Sequence, residues 1–164
     1  MLGIYDNFPF NVHRIENLVA SLSNKKLQER IIQILHDINL RNFSFERIAY
    51  PTVPNCTIIF EVGLAEGTSF NYIDEEETKK IINILKKVPF DTMDFFLVLR
   101  YYKGVEKAPL KFDYYFVRLI FKKNSIQTQI FHERGPRYLS PEDIMTFLIK
   151  KINEAPSRRI IRRL

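Results

Sequence analysis

An α+β fold is what this sequence predicts, and three features of its apolar pattern carry the prediction. Apolar side chains repeat at helical spacing through the first forty residues, the period changes to two from Cys56 onward, and a helix-start signal returns at Ser140. The expected order is two N-terminal helices followed by β-α-β-β-β-α. A four-stranded, mostly antiparallel sheet would then carry helices packed on it.

Each element has its own signal. Ile15, Leu18, Val19 and Leu22 stand at i, i+3, i+4 and i+7, which predicts the first helix. Ser23-Asn24 supplies a cap and a break, and Leu27, Ile31, Ile34, Leu35 and Ile38 give the stripe of the second. The stretch from Arg41 to Asn55 holds Pro51 and Pro54 and is expected to be a connection. Ile58, Phe60, Val62 and Leu64 then alternate with smaller or polar residues, as in a half-buried strand. Asp74 with Glu77 three residues on resembles a capping box before the helix of Ile81, Ile82, Leu85 and Val88, which Pro89 ends. Strands are expected over Met93–Tyr102, Lys111–Lys122 and Ile126–Glu133, the last two joined by a tight turn at Lys123-Asn124. Ser140, with Pro141 at the first helical position, opens the final helix.

A chain of 164 residues fits one domain, and 46% hydrophobic with 27% charged residues excludes wholesale disorder. Residues 1–155 are expected to form a single nucleic-acid-binding domain and 156–164 a basic tail, where Arg158, Arg159, Arg162 and Arg163 supply four of the charges behind a net +6. That balance favours polyanionic partners. The lone Cys56 can make neither an internal disulfide nor a cysteine-based zinc site. The start does not have the form of a signal peptide and no apolar run approaches a membrane span, so the expected location is cytoplasmic.

The aromatic residues, 14 Phe and 8 Tyr with no Trp, crowd onto the expected strands. Alternation puts Met93, Phe95, Leu97 and Leu99 on one face of the second strand and Phe96, Arg100 and Tyr102 on the other. The third strand sends Tyr115, Val117, Leu119 and Phe121 to the core and Phe112, Tyr114, Phe116, Arg118 and Lys122 to the opposite face. Gln127, Gln129 and Phe131 extend that second face, and Arg134 and Arg137 follow it. Rings alternating with cations make a stacking platform for single-stranded DNA or RNA, because every base has a π-face and cations hold the phosphates. The competing arrangement covers both faces with helices and turns the rings into core. Arg100 and Arg118 argue against complete burial and for an intermediate, in which the N-terminal helices cover part of the face and leave a cleft with arginines at its lip.

The helical N-terminus, the four-stranded sheet with an aromatic and basic face, and the segment Phe131-His132-Glu133-Arg134-Gly135-Pro136-Arg137-Tyr138 together resemble the ThermoDBP family of archaeal single-stranded DNA-binding proteins and their relatives. The resemblance spans about Val12 to Asn153. It implies sequence-tolerant binding of single strands, DNA foremost, in a cleft between sheet and helices, and it implies homo-oligomers. The founding members carry a zipper-like C-terminal extension, whereas this chain stops soon after its last helix, which points toward the related groups.

No catalytic or metal constellation stands out, and no cofactor is expected. His13, His36 and His132 have no second histidine or cysteine at metal-ligand spacing. The acidic run Asp74–Glu77 is explained by its place at a helix start, and Gly63 and Gly67 lack the lysine of a phosphate loop. A metal-dependent nuclease using Glu61, Asp94 and Asp113 with Lys111 is the enzymatic alternative. An assembly subunit docking through Ile160, Ile161 and Leu164, on one side of a helical turn, is the third reading.

Overall fold

The computed structural model describes residues 1–49, 55–154 and 160–164. The expectations resting on Pro51, Pro54, Arg158 and Arg159 lie outside the described residues. In chain order the elements are β1 (Arg14–Ala20), α1 (Asn24–Ile38), β2 (Asn42–Ser44), β3 (Cys56–Glu66), β4 (Ser69–Tyr72), α2 (Glu75–Lys87), β5 (Thr92–Lys103), β6 (Ala108–Lys122), β7 (Ser125–Arg134), α3 (Pro141–Glu154) and β8 (Ile161–Arg163). The strands form one antiparallel sheet in the order β2-β3-β5-β6-β7-β1-β8, with β4 paired to the end of β3.

This overturns the expected fold in two respects. The sheet has eight strands among the described residues, not four, and the first of the two N-terminal helices is strand β1. The stripe Ile15, Leu18, Val19, Leu22 is too short to separate the two periods. Paired along β7 from Arg14↔Ile130 to Val19↔Ser125, the segment turns Leu18 and Ala20 into the core and Ile15 outward, 54% exposed. Two of its four apolar residues are β-branched, which suits a pleated surface, and the pairing supplies backbone partners that an isolated two-turn helix lacks. The other unforeseen strands are short: β2 lies in the supposed connection, β4 follows the turn at Gly67, and β8 takes the place of the expected helical turn in the tail.

Local signals position the helices. Ser23 accepts from the Lys26 amide at the start of α1, and Asp74 accepts from the Glu77 amide at 2.8 Å at the start of α2. At α3 the cap is reciprocal: the Asp143 amide donates to Ser140 Oγ and the Ser140 amide to Asp143 Oδ2. All three helices bury their apolar sides in one cluster with Ile58 and Phe60 of β3, Leu97 of β5, Val117 of β6 and Ile130 of β7. Phe96, Phe112, Tyr114, Phe116 and Phe131 stand outside that cluster, on the opposite face.

What crosses this opposite face is the N-terminal segment, residues 1–13, and no helix among the described residues. Beyond Val62, β3 no longer pairs with β5, and Gly3 fills the gap between them. Its amide donates to Ala65 O, and its carbonyl accepts from the Asp94 amide, both at 2.7 Å.

Candidate nucleic-acid interface

The second face is built around β5 and β6. Phe96 lies opposite Phe116, Val98 opposite Tyr114 and Arg100 opposite Phe112. Cross-strand neighbours on one face stand close enough for rings to touch, and here they form a continuous set. Phe96 stacks on Tyr114 at 5.0 Å between centroids, Tyr114 meets the edge of Phe112 at 5.0 Å, and Phe70 from β4 packs on Phe96 at 5.3 Å and on Phe116 at 5.8 Å. Each of these rings is half-buried, as is Tyr102 at the end of β5. Phe96, Tyr102, Phe112, Tyr114 and Phe116 thus share the face on which alternation along the chain puts them.

Phe116 is nevertheless partly covered. Tyr5 and Phe8 of the N-terminal segment lie on it, with centroids 5.2 and 6.4 Å away. Farther along, His13 stacks on Phe131 at 4.7 Å. The part of the face that N-terminal helices are expected to cover lies under this extended segment instead.

Both arginines are already paired with carboxylates of the sheet. Arg118 donates through Nε and Nη2 to both oxygens of Asp94, at 2.7 and 2.8 Å, and its guanidinium lies 4.3 Å from the Phe8 ring centroid. Asp94 is fully buried and also accepts from the Tyr5 amide at 2.7 Å, so one carboxylate ties β5, β6 and the N-terminal segment together. Arg100 donates to Glu61 at 2.9 Å and lies over Phe112 at 5.3 Å. Its side chain keeps 38% exposure, against 25% for Arg118. Lys122 is exposed at one end of β6, and Arg134 and Arg137 are exposed near the other, where Tyr114 pairs with Arg134. Arg134 and Arg137 therefore stand at the Tyr114 end of the rings, whereas Lys122 lies farther along β6, beyond Arg118.

The segment Phe131–Tyr138 closes around a second buried carboxylate. Asp113 accepts from the Tyr101 hydroxyl, from His132 Nε2 at 2.8 Å and from the amides of Arg137 and Tyr138 at 2.7 and 3.0 Å. Burial first, and then Asp113, push the Tyr101 hydroxyl far above its ordinary range, which keeps it a donor. Gly135 makes the wrap possible. Its φ is +114°, and a Cβ there would stand 2.3 Å from the Phe112 carbonyl oxygen and 2.4 Å from Asp113 Oδ1. His13 joins the same end of the sheet by accepting the His132 amide on Nδ1 at 2.9 Å. Partial burial, then Arg137 and His132, lower the His13 pKa below 6.5.

The carboxylates of the nuclease alternative do not converge. Glu61 is engaged by Arg100, Asp94 by Arg118 and the Tyr5 amide, and Asp113 belongs to the other face. Among the described residues no three His, Cys, Asp or Glu side chains group as a metal site. The tail is engaged too: Ile160 and Ile161 are buried, and Arg163 donates to Glu142 and lies 3.2 Å from Glu16. No described helix is long and apolar enough to cross a membrane.

Sequence reasoning misses Tyr5, Phe8, Phe70 and the engagement of Glu61 and Asp94. The N-terminal run of Tyr5, Phe8 and Phe10 is a visible signal; the ion pairs are not, because their partners are 24 and 39 residues apart in the chain. No family model matches this chain, and no curated protein or solved structure does either.

Proposed function

We propose that the chain binds single-stranded nucleic acid, DNA foremost, on the helix-free face of its sheet. The observation that carries this reading is the ring set Phe96, Phe112 and Tyr114, half-buried and outside the core, with exposed Arg134 and Arg137 at its Tyr114 end and Lys122 exposed farther along the same strand. Bases stack on the rings with little sequence preference, and phosphates reach the flanking cations. Arg100 contributes through the exposed part of its guanidinium, whereas Arg118 serves the Asp94 tie. Duplex keeps its bases stacked away from such a surface.

The resemblance to the ThermoDBP family supports the same reading through the segment Phe131–Tyr138. Its other two supports, a helical N-terminus and a four-stranded sheet, are replaced by β1 and by eight strands, so the proposal leans on the face itself. Homo-oligomers, which the resemblance implies, are part of it and are read by light scattering.

Fluorescence anisotropy with single- and double-stranded oligonucleotides over a salt series tests the proposal. Single strands should bind more tightly than duplex of the same length. Phe96→Ala and Tyr114→Ala should each weaken binding by about 1–3 kcal/mol. Replacing Lys122, Arg134 or Arg137 by alanine should make the salt dependence shallower, by about 0.7 for every phosphate that is no longer neutralised. Equal or tighter duplex binding, or ring variants that stay folded with unchanged affinity, would sink it.

A further inference from the structure

One ring of the N-terminal segment takes no part in the ring set of the second face. Phe10 is 102% exposed, so its side chain packs on nothing. A lone exposed apolar side chain is ordinary at a loop tip, as Val105 is in the turn between β5 and β6. Phe10 is placed differently, because the chain is fastened to the second face on both sides of it.

Before it, Phe8 lies between the Phe116 ring and the Arg118 guanidinium, 6.4 and 4.3 Å away. After it, His13 stacks on Phe131 at 4.7 Å, and the His13 amide donates to Ile130 O at 2.9 Å. Phe116 and Phe131 are register partners on β6 and β7, so residues 9–12 arch from one ring to the other. At about 3.3–3.6 Å per residue, Phe10 lies within about 7 Å of Phe8 along the chain. Pro9 stiffens the arch, since its ring fixes φ. Arg137, exposed to solvent, acts electrostatically on His13 and so stands by the far end of the arch. A ring held in water beside stacking rings and a free cation offers what a base and its phosphate need. Asp6, Asn7 and Asn11 around it are polar and exposed, so Phe10 has no apolar patch of the kind that a second copy of the chain would bury. A single ring suits a single base.

We propose that Phe10 is a further stacking residue for single-stranded nucleic acid, taking one base beside the rings of β5 and β6 while Arg137 meets the adjoining phosphate. The proposal rests on the binding of single strands at the second face.

The chain has no tryptophan, so Phe10→Trp sets a single indole at this position. Titration of that variant with oligothymidylate should quench the indole fluorescence, saturating together with the anisotropy of the labelled strand. Phe10→Ala and Phe10→Leu should each weaken binding about fivefold or more, because leucine keeps an apolar side chain without a π-face, whereas Phe10→Tyr should stay within about twofold of the parent. The salt dependence should not change, since a ring neutralises no phosphate. Melting should not change either, because the side chain is fully exposed. Phe96→Ala is measured alongside. If it weakens binding while Phe10→Ala and Phe10→Leu do not, the platform stands and the role of Phe10 is overturned; if the parent binds no single strand, both fall. An affinity loss in Phe10→Ala that comes with a smaller mass by light scattering would assign the ring to a contact between copies and overturn the proposal as well.

Discussion

Arg118 has the sequence position of a side chain offered to phosphate, and the structure gives it another task. It neutralises Asp94, which is fully buried and also accepts from the Tyr5 amide. Removing one member of a buried pair leaves an uncompensated charge, at a cost of about 3–5 kcal/mol. The partial exposure of Arg118 favours the lower end. Urea denaturation of Arg118→Ala should therefore show a loss of about 3 kcal/mol, with Tyr5 and Phe8 released from Phe116; a loss below about 1 kcal/mol would mean that the pair contributes no more than a surface ion pair. His13 gives a second residue-scale expectation. Its Nδ1 accepts the His132 amide only while it lacks a proton. Because its folded pKa lies below 6.5, the unfolded chain binds the proton more readily. This contribution is complete above about pH 6.5 and is lost as pH falls through that value toward the lowered pKa. Protection of the His132 amide, taken relative to its intrinsic exchange rate at each pH, should fall over that interval, and His13→Ala should abolish the dependence.

At the scale of elements, the pattern in the chain is sufficient where structure is local. Ser23, Asp74 and Ser140 each cap the helix they announce, because a cap needs only residues three positions away. The long alternating runs of β3, β5, β6 and β7 likewise assign their faces within one strand, which is why Phe96, Phe112 and Tyr114 can be grouped from sequence. β1, β2, β4 and β8 are not legible for the opposite reason. Strands of three to seven residues are decided by what they pair with, and β1 finds its partners more than a hundred positions downstream. The same distance hides the ion pairs of the second face, so its rings can be read from the chain but not its charge balance. Deleting β8 tests how far one such strand supports another. Removing residues 160–164 exposes the sites of Ile160 and Ile161 and leaves one edge of β1 unpaired. Two buried isoleucines correspond to about 3–6 kcal/mol. The shortened chain should melt well below the parent and tend to associate through the bared edge of β1; unchanged melting would show that β8 is a passive attachment.

For the molecule as a whole, the strand order places β1 between β7 and β8 although it comes first in the chain. Most sheet partners here are sequential neighbours, as in β5-β6-β7, but β1 is not. On a ribosome, residues 14–20 emerge long before the strand beginning at Ser125 with which they pair. At about 5–20 residues per second, the wait lasts on the order of 5–20 seconds. Throughout it Ile15, Leu18 and Val19 have no sheet to join. Arg14, Glu16 and Asn17, interspersed among them, are the kind of residue that keeps an unpaired apolar strand from seizing a neighbouring chain. When Ser125–Arg134 arrives, Arg14 and Glu16 form an ion pair at 3.0 Å, to which Glu142 of the last helix adds a second contact. Charges that guard the strand during synthesis thus become fastenings in the finished sheet.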